Sequence, residues 1–142
     1  MPGVFRTQRR VEFCETDAAG IAHFAAFFPY MEQAEHALLR HLGLSVVSED
    51  DQGIVSWPRV SAHCDYTGAA RFEDVLDVTV QVEKLGSRSV TYAFVFTRHG
   101  DPIAQGQLTA VCCRVGNDKR LQSIPIPARI REPLERFWQA ID

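Results

Sequence analysis

Residues 27–42 read FFPYMEQAEHALLRHL, and their apolar side chains recur at steps of three and four residues. This spacing places them on one face of an α-helix. The face consists of Phe27, Met31, Ala34, Leu38 and Leu42, widened by Phe28 and Leu39. Proline is tolerated only in the first helical turn, so Pro29 predicts a helix that begins near residues 26–28. Gly43 is expected to end the helix, because glycine readily adopts the left-handed conformation found after the last helical turn. We also predict that the apolar face is buried.

Strand patterns follow the helix. Residues 75–85 (VLDVTVQVEKL) and 89–98 (SVTYAFVFTR) alternate strictly, and residues 103–115 (IAQGQLTAVCCRV) are rich in small and β-branched side chains. Such alternation is typical of strands with one buried face. The segments LGSR (85–88) and HGDP (99–102) have the composition of turns. These features predict a three-stranded antiparallel meander.

Two earlier segments, residues 5–15 and 53–66, also read as strands, and Pro58 within the second requires an edge position or a bulge. A short closing helix is predicted from side chains that share one helical face: Ile130, Leu134, Phe137 and Trp138. An apolar helix among strands must be covered by the sheet. We therefore predict an α+β fold in which one antiparallel sheet wraps the helix, as a single domain over residues 1–142.

Composition narrows the class of protein. The 142 residues are 46% hydrophobic and 23% charged, with a net charge of −3. This balance gives no reason to expect a nucleic acid or an anionic membrane as a partner, and the sequence shows neither an 18-residue apolar run nor a signal peptide. The cysteines form no CxxC motif and the histidines no i, i+4 pair. We expect reduced thiols, a cytoplasmic location and no metal.

Residues 16–24 read TDAAGIAHF and place a carboxylate, Asp17, ahead of the apolar helix. Its ordinary interpretation is a turn or helix-capping residue. The helix start set by Pro29 leaves Asp17 too far upstream for a direct cap. A reactive carboxylate near the helix N-terminus is the alternative.

The segments RRVEFCETDAAGIAHFAAFFPYMEQA (9–34) and YTGAARFEDVLDVTVQVEKLGSRSVTYAF (66–94) resemble the two characteristic blocks of the 4-hydroxybenzoyl-CoA thioesterase family. The resemblance implies a hot-dog fold, in which an antiparallel sheet wraps one long central helix. It also implies an acyl-CoA thioesterase that needs no cofactor, since coenzyme A is part of the substrate. Homodimers that assemble into homotetramers, with the site between two subunits, are expected as well.

The same resemblance assigns the catalytic residues. Asp17 is expected to be the nucleophile or the general base of thioester hydrolysis. Backbone N–H groups of His23 and Phe24, where the helix begins, are expected to bind the oxyanion, since a helix N-terminus favours negative charge. Gly20 is expected to permit a close backbone approach. Many family members carry His or Asn at position 24 and Arg at position 35, where this chain has Phe24 and Glu35.

Further residues are candidates for substrate binding. Phe27, with its neighbouring aromatic residues, could line an acyl pocket or simply belong to the core, and His23 could shape that pocket. Resemblance places Arg88 and Ser89 near the nucleotide of coenzyme A, because phosphates need basic partners. Arg59 and Arg71 are weaker candidates for the same function.

Other sets of residues keep alternatives open. Glu32 and Glu35 lie on the polar side of the predicted helix, where solvation or pairing with Arg40 is expected. His63 and Asp65 share a strand face and could reach a partner subunit's site, although a structural function is favoured. A hot-dog hydratase or dehydratase and a non-catalytic module for acyl-CoA or acyl-carrier protein are the alternatives to a thioesterase. The sequence does not identify the acyl group.

Overall fold

The structure, a computed structural model, describes residues 3–138. Two helices and nine strands are present within these residues. In chain order they are β1 (Phe5–Arg10), α1 (Phe27–His41), β2 (Ser48–Asp50), β3 (Gly53–Ser56), β4 (Arg59–Tyr66), β5 (Val75–Leu85), β6 (Ser89–Arg98), β7 (Asp101–Val111), β8 (Cys113–Val115), β9 (Leu121–Ser123) and α2 (Ala128–Glu135). Short 3₁₀ turns occupy Phe13–Glu15 and Phe24–Ala26.

Helix α1 has the bounds that its sequence pattern predicts. Pro29 lies in its first turn, where the missing N–H group costs no hydrogen bond. At the other end Gly43 has a φ of +73°, and the Leu44 N–H group donates to the Leu39 carbonyl at 2.7 Å. This bond is the one that closes a helix through a left-handed residue.

The larger sheet has five antiparallel strands in the order β1-β5-β6-β7-β4. Strands β5 and β6 have the predicted bounds, and the β5-β6-β7 meander is confirmed. Alternate side chains of these strands are buried and form one core with α1. The buried set includes Leu76, Val78, Val80, Val82, Val90, Tyr92, Phe94, Phe96 and Leu108. The sheet thus packs one face against the central helix.

Gly106 on β7 lies where the helix and the sheet come closest. A Cβ atom at this position would collide with the Met31 sulfur of α1 and with the His63 carbonyl oxygen of β4. Only glycine therefore lets α1 and β4 approach β7 this closely. The contact fixes the distance between the helix and the edge strand that carries several candidate site residues.

Three predicted strands are wrong in their bounds. The first ends at Arg10 and is followed by a turn, so it does not reach residue 15. Residues 53–66 form two strands, β3 and β4, in different sheets, because the chain turns away at Trp57 and Pro58. The bulge expected near Pro58 lies just after it, between Arg59 and Ser61 on edge strand β4. Likewise, residues 103–115 divide at Cys112 into β7 and β8.

A second sheet, with the order β2-β3-β8-β9, is absent from the sequence prediction. Its strands are three or four residues long, too short for alternation to be recognised. Arg114 of β8 donates to both carboxylate oxygens of Asp50 on β2, at 2.7 and 3.2 Å. This ion pair bridges across β3 and joins the two strands.

Helix α2 buries Ile130 and Leu134 on the predicted face. Phe137 and Trp138 lie beyond its last residue, so the helix is shorter than that pattern suggests. The Phe137 carbonyl accepts a hydrogen bond from the Val82 N–H group at 2.8 Å. The segment after α2 thereby lies against β5.

Candidate active site

Asp17 opens a tight turn. The Gly20 N–H group donates to the Asp17 carbonyl, and the Asp17 N–H group donates to the Ile21 carbonyl, each at 2.9 Å. The Asp17 carboxylate accepts from the Ala19 N–H group at 2.9 Å and from the Ile21 N–H group at 3.4 Å, both through Oδ1. Asp17 is therefore a turn-forming residue, as its ordinary interpretation holds. It does not cap α1, whose N-cap position is Ala26.

Gly20 has a φ of +80°, which is the left-handed conformation that the last residue of this turn requires. A Cβ atom at Gly20 would come no nearer than 3.9 Å to another group of the chain, the Arg71 guanidinium. Within the chain, glycine is therefore needed here for its conformation, and the expected close approach of the backbone to a substrate stays a prediction.

His23 and Phe24 follow the turn and lead into α1. The His23 N–H group donates to the Glu15 carbonyl at 2.7 Å, so it is not free to bind an oxyanion, and that expectation is corrected. The His23 Nδ1 atom accepts from the Ala25 N–H group at 3.1 Å, and its ring stacks on Phe24. Within residues 3–138 the Phe24 N–H group has no recorded acceptor, and it is the remaining candidate donor.

Tyr66 at the end of β4 holds this backbone in place. Its hydroxyl donates to the Phe24 carbonyl at 2.7 Å. Partial desolvation of the hydroxyl raises the pKa of Tyr66 to about 12, so the group stays protonated at neutral pH. The edge strand and the start of α1 are thus joined at the candidate oxyanion donor.

Phe27 belongs to the core. It is only 2% exposed and packs edge-to-face against Tyr30, Tyr66 and Phe96. Phe27 thus has the core position that was the alternative interpretation, and its expected contact with an acyl group stays a prediction. A neighbouring cavity of about 280 Å³ lies between α1 and β4. It is lined by Phe28, Pro29, Met31, Glu32, Arg59, Ala62 and Leu108.

Glu35 is buried, not solvated, and it does not pair with Arg40. It is 1% exposed, and the Arg59 guanidinium donates to both of its carboxylate oxygens, with Nη1 at 2.9 Å from Oε2. Glu32 lies 3.4 Å from the same guanidinium. Burial raises the pKa of the Glu35 carboxyl, and the Arg59 pair opposes that rise. Because Glu35 already holds Arg59, this arginine is not free to bind a nucleotide phosphate.

His63 and Asp65 form a pair on β4, with His63 Nε2 3.0 Å from Asp65 Oδ2. His63 is paired in register with the exposed Gln107, whereas Ala62 is paired with the buried Leu108. His63 therefore points to the face of the sheet opposite α1. Within one chain it is not brought together with Asp17, and its expected access to a partner's site stays a prediction.

Arg88 and Ser89 lie at the turn between β5 and β6. Arg88 Nη1 donates to the Ser123 carbonyl at 2.7 Å, and Ser89 is the first residue of β6. A second guanidinium reaches this turn, since Arg131 of α2 donates to the Gly86 carbonyl at 2.8 Å. The sequence did not indicate Arg131, because only the fold brings α2 to the turn.

A family model described as the thioesterase-like superfamily matches residues 11–134. The chain belongs to the thioesterase-like superfamily. The resemblance found in the sequence is thereby confirmed, and so is the expectation of a thioester hydrolase at the level of the family.

Two relatives and one solved structure illustrate the membership. A protein from Aquifex aeolicus that bears an esterase name is 31% identical over 135 residues, covering 95% of this chain and 99% of that protein. A 1,4-dihydroxy-2-naphthoyl-CoA hydrolase from Synechococcus elongatus is 28% identical over 132 residues, covering 92% and 95%. A hypothetical protein from Aquifex aeolicus superposes with a TM-score of 0.82 at 28% identity, covering 92% of this chain and 98% of that one.

The fourth comparison concerns the fold alone. A mutant of 4-hydroxybenzoyl-CoA thioesterase, in complex with 4-hydroxybenzoyl-CoA, superposes with a TM-score of 0.78 at 19% identity, covering 92% of this chain and 98% of that one. Together with the superfamily match, the structural likenesses confirm the α+β hot-dog fold.

In this thioesterase-like chain, none of the described residues form a cluster of three metal-ligating side chains. All four cysteines lie in the described part of the chain and are free thiols. No helix among residues 3–138 is long and apolar enough to cross a membrane.

Proposed function

We propose that the protein hydrolyses an acyl-CoA or aroyl-CoA thioester to the free acid and coenzyme A, with Asp17 as the catalytic carboxylate. The observation that carries this proposal is the placement of Asp17 on a hydrogen-bonded turn, in the same short segment as Phe24, whose N–H group has no acceptor among residues 3–138. A carboxylate and an oxyanion donor on one short segment are the groups that acyl transfer from a thioester needs. Membership of the thioesterase-like superfamily supports it.

Two routes give the same products. As a nucleophile, the Asp17 carboxylate bonds to the acyl carbon, the carbon–sulfur bond breaks, and water then hydrolyses the resulting anhydride. As a general base, Asp17 takes a proton from a water whose oxygen bonds to the acyl carbon, and the proton goes to the departing sulfur. In both routes the Phe24 N–H group binds the developing oxyanion, a contribution of about 3 kcal/mol for one donor.

The cavity between α1 and β4 is our candidate for the acyl pocket. Its lining is mostly apolar, as small-molecule sites usually are, and two charged side chains, Glu32 and Arg59, stand among the apolar ones. The hydrolase relative from Synechococcus elongatus is named for a dihydroxynaphthoyl thioester. We therefore favour an aroyl group for this chain as well.

Coenzyme A is proposed to bind with its phosphates at the turn that carries Arg88 and Ser89. Arg131 brings a second guanidinium to this turn, but Glu135 pairs with it at 3.2 Å, so the proposed phosphate contact depends on Arg88. No cofactor takes part in the proposed reaction, and a cytoplasmic location is part of the proposal.

The proposed assembly is a homodimer through β4, from which a tetramer forms. Strand β4 is an edge of the five-stranded sheet, and among the described strands only β7 pairs with it. Val60 on this strand is 62% exposed, and residues 60–63 are all exposed, on both faces of the strand. An open edge with an exposed apolar side chain is suited to pairing with a second copy.

Two substitutions of Asp17 separate its turn function from its chemistry. In Asp17→Asn the amide oxygen can accept the same hydrogen bonds, so the stability should stay near that of the unchanged chain. Thiol release from a panel of acyl-CoA and aroyl-CoA esters should nevertheless fall by about a hundredfold or more. Asp17→Ala should lose the activity and also about 1 kcal/mol of stability.

Thiol release that survives in Asp17→Asn would contradict the assignment of Asp17. Binding of the esters without thiol release by the unchanged chain would contradict the whole proposal and indicate a non-catalytic module. An acyl group that remains covalently bound to the protein after an acid quench would identify the nucleophilic route.

A further inference from the structure

The Glu15 side chain lies two residues before Asp17 and joins three parts of the fold. Its Oε1 atom accepts from the Tyr30 hydroxyl of α1 at 2.9 Å and from the Glu12 N–H group at 2.8 Å. Its Oε2 atom accepts from both terminal nitrogens of Arg9 on β1, with Nη1 at 3.0 Å. One carboxylate thus ties the segment that carries Asp17 to the first strand and to the central helix.

The partners of Glu15 are themselves fixed. Tyr30 is only 1% exposed, and the Arg9 guanidinium lies 4.6 Å from the centre of its ring, which is the geometry of a cation–π contact. Burial, and then the hydrogen bond to Glu15, raise the pKa of Tyr30. The hydroxyl therefore stays protonated at neutral pH and donates its hydrogen bond to Glu15.

The backbone of Glu15 holds the other end of the same segment. Its carbonyl accepts the His23 N–H group at 2.7 Å, and Thr16 pairs with Ala22 across the turn. The residue after His23 is Phe24, which carries the candidate oxyanion donor. Glu15 therefore sets the position of the Asp17 turn through its side chain and the position of the Phe24 N–H group through its backbone.

We propose that Glu15, held by Tyr30 and Arg9, is a positioning residue that fixes Asp17 and the Phe24 N–H group relative to each other. This inference rests on the proposed thioesterase function. Glu15 acts through these two groups and does not itself contact the reacting atoms. Its loss leaves both groups present but less well aligned, which lowers the rate of the chemical step more than the affinity for substrate.

The test uses Glu15→Gln, which removes the charge that Arg9 binds, and Tyr30→Phe, which removes only the hydroxyl. In each variant kcat for thiol release should fall by about tenfold to a hundredfold, while KM changes by about twofold or less. The aromatic packing of residue 30 is kept in Tyr30→Phe, so this variant should fold even if Glu15→Gln does not.

Asp50→Asn is the matched control. It removes an Arg–carboxylate pair of similar exposure, formed with Arg114 in the smaller sheet and remote in the fold from the Asp17 turn. It should lower the melting temperature without changing kcat. An equal loss of kcat in the control would show a general effect of lost stability and would overturn the proposal.

A second readout distinguishes positioning from a merely structural effect. When Asp17→Ala is already present, adding Tyr30→Phe should cause no further loss of residual thiol release. Tyr30 contacts the Glu15 side chain, through which Asp17 is positioned, and the Asp17 carboxylate is then gone, whereas the Glu15 backbone that positions Phe24 is unchanged. An unchanged kcat in both single variants, with Asp17→Asn inactive, would refute the positioning function and leave the thioesterase intact. An unchanged chain that releases no thiol would instead refute the proposed function.

Discussion

Asp17 and Gly20 show how much of this site depends on single residues. Asp17 supplies the acceptor that closes the turn, and Gly20 supplies the left-handed backbone that ends it. The carboxylate is therefore held by the structure that it helps to form. Such preorganisation is what a catalytic group requires, because its alignment does not have to be established during the reaction.

A substitution at Gly20 tests this conformation directly. Gly20→Ala should lower the free energy of unfolding by about 1 kcal/mol, since an alanine at a φ of +80° is strained although it has room. Gly20→Asn should cost less, because asparagine tolerates the left-handed region. Urea unfolding of the two variants measures the difference, and a larger loss in Gly20→Asn than in Gly20→Ala would show that space rather than conformation is limiting.

At the scale of elements, the short second sheet depends on the ion pair between β2 and β8. The Arg114 guanidinium holds the pKa of Asp50 at about 2, below its ordinary value of 3.8. The strands it joins are only three residues long and bury little apolar surface. The pair therefore contributes a larger share of the contacts between these strands than it would between long strands.

The lowered pKa predicts how this sheet responds to acid. Asp50 contributes to stability at every pH above 3.8, and the contribution is lost as the pH falls toward 2 and the carboxyl is protonated. Between these two pH values, the free energy of unfolding should therefore change less with pH in Asp50→Asn than in the unchanged chain. An equal change with pH in both chains would contradict the lowered pKa of Asp50.

Much of the architecture could be predicted because burial imposes a period on the sequence. Buried side chains alternate along β5 and β6 and recur at helical spacing along α1, without interruption. The predicted bounds of these three elements were therefore right. Glu35 could have been recognised as buried, since it stands four residues after Met31 on the apolar stripe. Its partner Arg59 could not have been recognised from the sequence, because only the fold brings the edge strand to the helix.

The sequence indicates where the candidate site lies along the chain but not its geometry, and the functions of its residues stay predictions. Residues 16–24 contain one turn, closed by the bridge between Thr16 and Ala22. The His23 N–H group donates to the Glu15 carbonyl, and the Phe24 carbonyl accepts from the Tyr66 hydroxyl of β4. Such contacts have no periodic signal, since each joins two residues through a specific distance and angle.

At the scale of the whole molecule, the open edge of β4 has the largest consequence for assembly. The protomer has a mass of 16.0 kDa, and the proposed association through β4 predicts a sedimenting species of at least twice that mass. The sheet would then continue from one copy into the next, which satisfies the unpaired backbone groups of the edge.

Val60→Lys tests this association, because a lysine on the edge strand opposes pairing between copies. The variant should sediment as a monomer and lose thiol release. Val47→Lys is the control, since Val47 has a similar exposure of 57%, against 62% for Val60, but lies outside the sheets. A Val60→Lys chain that keeps the mass of the unchanged protein would contradict an interface at β4.

The hydrogen bond from Tyr66 to Phe24 links that edge to the chemistry. Tyr66 ends the strand through which the copies are proposed to meet, and its hydroxyl holds the backbone of Phe24, which carries the candidate oxyanion donor. Under the proposed dimer and the proposed function, each association event also stiffens this amide. Turnover per subunit then follows mass action: it rises with protein concentration and falls on dilution, before any subunit unfolds.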